Sequence, residues 1–230
     1  MNTQVHSRLA GSLYLIIILC GLFAEVGARL NLIAYNDANL TAQNILQHTG
    51  LFRLGFATDT IMLLCDIALA VVLYQLLGSK AKTLTLIATL FRLIQAGIIA
   101  VSLLCFYGAY LLITQTVELQ ALETDQRNNY ALFLLNMHSY GYDFGLLFFA
   151  ITNMALGRIF IRYTSSAKLL GWALIAAAIT YFMGSSIRFL TPGYSETFQP
   201  FYIIALAAEL YFCFWLLFQK NGFRRSIYTS

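Results

Sequence analysis

Charge, proline and histidine are what this chain has least of. Only 10% of its 230 residues are charged and only two are proline, against 60% hydrophobic residues. That balance excludes a soluble globular domain and leaves a polytopic membrane protein. The prolines, Pro192 and Pro200, leave the long apolar runs almost uninterrupted, so the broken helices typical of many secondary transporters are not evident. Of the three histidines, His6 and His48 lie outside the apolar runs and His138 within one. A catalytic zinc takes three ligands rich in His or Cys, and a bis-histidine haem takes two histidines, so no metal and no cofactor is expected. Cys20, Cys65, Cys105 and Cys213 have no paired ligand spacing and read as small core hydrophobes. Neither a basic stripe nor a nucleic-acid motif is present, and no nucleophile-elbow pattern surrounds Ser185 and Ser186.

What the chain does have is six apolar runs, at 9–28, 53–77, 84–113, 136–157, 168–190 and 200–219. Each reaches the length of about twenty residues that a helix needs to cross a bilayer. The expected fold is all-α: a six-helix transmembrane bundle forming one domain over residues 1–230, with the lipid bilayer as its first partner. Orientation follows from the basic residues. Arg8, Lys80, Lys82, Arg158, Arg162, Lys168, Lys220, Arg224 and Arg225 all fall on one side of these spans. The opposite loops carry Asp37, Glu118, Glu123, Asp125 and Glu196 with Arg29, Arg53 and Arg127. Short positive loops stay cytoplasmic, which predicts both termini inside. The first run is longer than a signal-peptide core and Glu25 interrupts the would-be cleavage region, so an uncleaved helix is expected.

Between the first two spans, Asp37 or Asn39 is placed to cap a short helix ending near Thr49 and Gly50. The pattern from Gly141 to Gly145 offers a face for close helix packing. Inside the spans stand charges that water does not easily reach: Glu25, Asp59, Asp66, Arg92, Asp143 and Glu209. Each costs about 2.5–3.5 kcal/mol at a bilayer centre, so such residues pair with one another or line a polar cavity.

Depth sorts them. At about 1.5 Å per residue, Asp66 and Arg92 reach nearly the same level on consecutive antiparallel helices, and are expected to pair with help from Gln95. Glu209 and Glu25 join this structural polar network. Asp59 and Asp143 lie higher, roughly 7–9 Å below the outer boundary. With His138, Arg53 and Arg188 they form the expected ligand-facing set of an outward-opening charged cavity. Carboxylates outnumber arginines there, so a shared proton, a cation or a ligand would balance the excess. The expected function is binding of a small polar or lipid-like ligand or ion. Two alternatives stand beside it. One is an intramembrane acid-base enzyme in which His138 works with Asp59 or Asp143. The other is a structural or assembly protein whose charges only fix helix packing.

Several blocks place polar residues inside apolar runs in a specific order: Leu13 to Glu25, Gly50 to Asp59, Leu63 to Asp66, Leu90 to Gln95 and His138 to Gly145. With Gly171-Trp172 and the ending Arg188 to Pro192, they make the chain resemble the bacterial six-span membrane family known as domain-of-unknown-function family 4386. The likeness covers nearly the whole chain. It implies a six-helix inner-membrane protein and supplies no catalytic residues.

Overall fold

The computed structural model describes residues 3–116, 122–164 and 167–219. Glu118, Lys220, Arg224 and Arg225, which enter the orientation argument, lie outside the described residues. Seven helices stand in sequence among the described residues: α1 (Gln4–Leu32), α2 (Ala38–Gln47), α3 (Thr49–Leu77), α4 (Lys82–Ile113), α5 (Thr124–Tyr163), α6 (Lys168–Leu190) and α7 (Tyr202–Phe218). Short helical turns from Pro192 to Phe201 lead into α7. All but α2 belong to segments long and apolar enough to cross a membrane, and the protein is an all-helical, multi-pass membrane protein. Large apolar side chains such as Leu64, Leu104, Trp172 and Ile203 stand exposed along the spans, where lipid rather than water would cover them.

The first and fourth spans depart most from their expected bounds. The first does not stop at Ala28 but continues to Leu32, passing through a π-helical stretch, Phe23–Arg29. Arg29 reads in the sequence as an interfacial residue that ends the span, yet it is buried. The fourth extends to 40 residues, about 60 Å at 1.5 Å per residue, twice the hydrocarbon thickness of about 30 Å. Its ends therefore stand beyond the apolar layer. The short helix α2 has the expected cap: the Asp37 side chain accepts from the Leu40 N–H at 2.9 Å. Thr41 then ties α2 to the preceding loop through the N–H and carbonyl of Ala34, both at 2.9 Å.

The chain divides into two compact units. One contains residues 1–16, 65–96 and 143–230; the other contains 17–64 and 97–142. In the first, small residues set the helix contacts. A Cβ added at Gly171 of α6 would come within 2.7 Å of the carbonyl oxygen of Gly157 of α5, and the reverse substitution meets the Gly171 oxygen at the same distance. Ala177, Ala205 and Ala208 form the buried seam between α6 and α7. Ser7 donates to the Leu216 carbonyl at 2.8 Å, and a side chain at Gly11 would collide with Leu217. With no hydrophobic driving force between helices in lipid, such close backbone approach is what makes association favourable.

The second unit uses the same device at Gly55, where a Cβ would reach 2.9 Å from Ala28 Cβ, and at Gly141, where it would meet Ser102 Cβ at 2.5 Å. It adds an aromatic ladder across α3 and α4. Phe52 stacks on Phe106 with centroids 4.2 Å apart and on Tyr110 at 5.0 Å.

Candidate functional site

In the second unit, the close approach at Gly55 and Ala28 brings α1 against α3 one turn from Asp59. Arg29 then donates through Nη1 to Asp59 Oδ2 and through Nε to Glu25 Oε2 at 2.7 Å. The π-helical turn re-aims the residues that follow it, and Arg29 is the last residue within it. Its guanidinium also lies 5.7 Å from the centre of the Tyr142 ring. Asp59 is fully buried, and its Oδ1 has no hydrogen-bond partner among the described residues.

His138, 2% exposed, does not face a carboxylate in this unit. Its Nδ1 lies 3.3 Å from Ser102 Oγ, whose single hydrogen is directed to the Ile99 carbonyl at 2.8 Å. Ser102 must therefore accept from the imidazole, which assigns the proton to Nδ1. Phe106 packs against the ring at 5.0 Å. Arg53 is exposed, donates to the Tyr110 hydroxyl at 2.9 Å and lies over the same ring.

This unit also holds an open cleft of about 430 Å³. It is framed by α2, the C-terminal end of α4 and the N-terminal end of α5, and its polar lining is Asn39, Gln43, Gln47, Gln115, Thr124, Arg127 and Asn128. Asn128 donates to the Asn39 side chain at 2.8 Å, which fixes α2 against α5. Arg127 holds a buried Nε with no acceptor among the described residues. At the end of α4, Gln115 adopts φ 55°, in the left-handed region. The bonds Thr116 N–H to Leu111 O at 3.1 Å and Gln115 N–H to Leu112 O at 3.3 Å close a helix stop in which glycine is the usual residue.

In the first unit, Asp66 and Arg92 form an ion pair. Both Arg92 Nε and Nη2 donate to the one oxygen Oδ1, leaving Asp66 Oδ2 without a partner. Tyr14 and Phe149 flank the guanidinium, with ring centres 5.4 and 5.1 Å away. Gln95 is buried but stays outside the pair, and its Oε1 is unpartnered. The expected assistance is not made as a direct contact, since no hydrogen bond joins Gln95 to Asp66 or Arg92 among the described residues. Among the described residues Glu209 has no arginine partner, and it accepts from the Tyr181 hydroxyl at 2.6 Å. Asp143 pairs with Arg188 at 2.9 Å, more exposed than the other pairs.

The expected ligand-facing set therefore does not line the cleft. Asp59 is held by Arg29, His138 by Ser102, Arg53 by Tyr110 and Asp143 by Arg188. The apparent excess of carboxylates shrinks once Arg29 is counted inside the span, because it serves both Glu25 and Asp59. A signal for it was present, since Glu25 and Arg29 are one helical turn apart and apolar residues continue at Leu30 and Leu32. The cleft had a fainter signal in the amide-rich segments Asn39 to Gln47 and Gln126 to Asn129. Among the described residues no group of three His, Cys, Asp or Glu side chains is placed to hold a metal ion.

The order of polar residues along these spans has its counterpart in a family model, Domain of unknown function (DUF4386), which matches residues 9–219. The chain belongs to the DUF4386 family. No curated protein and no solved structure shows a significant match to it. In this DUF4386 chain the matched region takes in every intramembrane charge described above.

Proposed function

We propose that this DUF4386 protein binds a small polar solute at the cleft between α2, α4 and α5, and that its intramembrane charges hold the helices rather than face the ligand. The observation that carries this reading is the cleft itself. Its volume of about 430 Å³ suits a small molecule, and side-chain amides with one guanidinium line it without a carboxylate. Beside the Asn39–Asn128 pair, the amides of Gln43, Gln47 and Gln115 offer both donors and acceptors, and Arg127 adds a donor without an acceptor among the described residues, so the favoured ligand is a neutral or singly anionic molecule rich in acceptor oxygens. A purely apolar lipid tail would leave these groups unpaired. The left-handed Gln115 at the rim supports the reading, because a strained non-glycine conformation persists where the side chain is needed.

By the distribution of Lys and Arg, the cleft opens away from the cytoplasm with both termini inside, and the family resemblance suggests a bacterial cytoplasmic membrane as the host. An intramembrane acid-base reaction through His138 and Asp59 lacks support, since each is engaged with another partner. The test is thermal stability of the detergent-solubilised protein with inorganic phosphate, lactate, glutamine or glucose. A ligand present at about a hundred times its Kd adds about 2.7 kcal/mol. At least one compound should raise the melting temperature, and Arg127→Ala with Gln43→Leu should remove that rise. A uniform lack of effect, or a rise undiminished in the variant, overturns the proposal.

A further inference from the structure

The Asp66–Arg92 pair lies beside a second, much smaller cavity. It offers about 10 Å³ to the centre of a water-sized sphere, which is close to what one water molecule requires and too little for most solutes. Thr85, Thr89 and Arg92 of α4 line it together with Thr152 of α5 and apolar side chains from α3 and α5. Two of these polar residues are incompletely bonded. Arg92, 1% exposed, has no acceptor for Nη1, and Thr85, also 1% exposed, has no partner for Oγ1. The other two hydroxyls are committed, Thr89 to the Thr85 carbonyl at 2.9 Å and Thr152 to the Ala88 carbonyl at 3.2 Å, so their oxygens retain acceptor capacity only.

We propose that this cavity is a binding site for one ordered water molecule, held between Arg92 Nη1 and Thr85 Oγ1. Water matches the inventory. It accepts from the guanidinium, exchanges a hydrogen bond with the Thr85 hydroxyl and has a remaining hydrogen for the oxygen of Thr152 or Thr89. That gives the two to four bonds that buried waters make. Helical spacing explains why the site exists: positions 85, 88, 89 and 92 fall on one stripe of α4, with small or hydroxyl-bearing side chains below the arginine. The water completes the solvation of a guanidinium whose Nε and Nη2 are both spent on Asp66 Oδ1, and it links α4 to α5 at the level of the pair.

The test is an experimental structure of the full chain at a resolution that shows ordered solvent, for the unmodified protein and for Thr85→Val. The expected result is one density peak within hydrogen-bonding distance of Arg92 Nη1 and Thr85 Oγ1, lost in Thr85→Val while the Asp66–Arg92 pair persists. If Thr85→Val does not fold, Thr85→Ser keeps the hydroxyl and should keep the peak. An empty cavity in the unmodified protein overturns the proposal. So does an anomalous signal at this position in crystals grown with bromide, which would make the occupant an anion. A peak that Thr85→Val leaves unchanged, or that Thr85→Ser loses, also overturns it.

Discussion

At the scale of single residues, the polar groups of this protein are placed by partnership more than by depth. Arg29 illustrates the difference. Its position near the end of an apolar run suggests an interfacial side chain, yet Glu25 on its own helix and Asp59 on α3 draw it into the buried part of its unit. Removing one partner of a buried ion pair typically costs about 3–5 kcal/mol, because the remaining charge is left unpaired, whereas replacing both with apolar groups is often close to neutral. Arg29→Met alone should therefore strongly lower the melting temperature in detergent, and adding Asp59→Leu should restore much of the loss. A double variant no better than the single one would show that the pair contributes more than mutual neutralisation. Asp66 and Arg92 were legible in the sequence, because two charges of opposite sign at one depth on adjacent antiparallel helices have few other options. The place of Gln95 was not, since a spacing of one turn on the same helix does not say which way its side chain turns.

Among the elements, helix existence follows from composition and helix ends follow from local chemistry. The cap at Asp37 was readable because an aspartate before a helical segment has a backbone N–H three residues on to accept from. The end of α4 was not readable, because a glutamine stands where a glycine would ordinarily mark the stop. Placing an L-residue in the left-handed region costs about 1–2 kcal/mol. Gln115→Gly is expected to raise stability by about 1 kcal/mol in chemical denaturation, after the greater freedom of glycine in the unfolded chain is discounted, and to weaken whatever the cleft binds. Equal or lower stability in this variant would mean that the side chain supports the helix end instead. The contacts at Gly157 and Gly171, or at Gly55 and Ala28, have no sequence signature beyond small residues in apolar runs. Such pairs are common, and only the three-dimensional arrangement selects those that touch.

For the molecule as a whole, an even number of spans together with the bias of basic residues underlies the proposed orientation, in which both termini lie on the cytoplasmic side. In a chain whose native cysteines have been replaced, a cysteine at Lys82 should react with an impermeant maleimide only after the membrane is opened. A cysteine at Gln43 should react in intact spheroplasts, and the reverse pattern would invert the topology and turn the cleft inward. The sequence alone determined the all-helical class, the number of spans and the presence of polar groups within them, because the bilayer tolerates few alternatives to a saturated helix and penalises each unpaired charge. It also held enough order in those polar positions to show family membership. Apart from Asp66 with Arg92, tertiary structure alone decided which partner each charge takes, and it alone decided where the cleft lies. A carboxylate on a helix can meet several cations of similar depth, and helix rotation, the π-helical turn in α1 and the small-residue contacts choose among them. The same packing closes the surroundings of Asp59 and His138 and leaves the cleft among the amides of α2, α4 and α5, a difference that periodicity and depth do not encode.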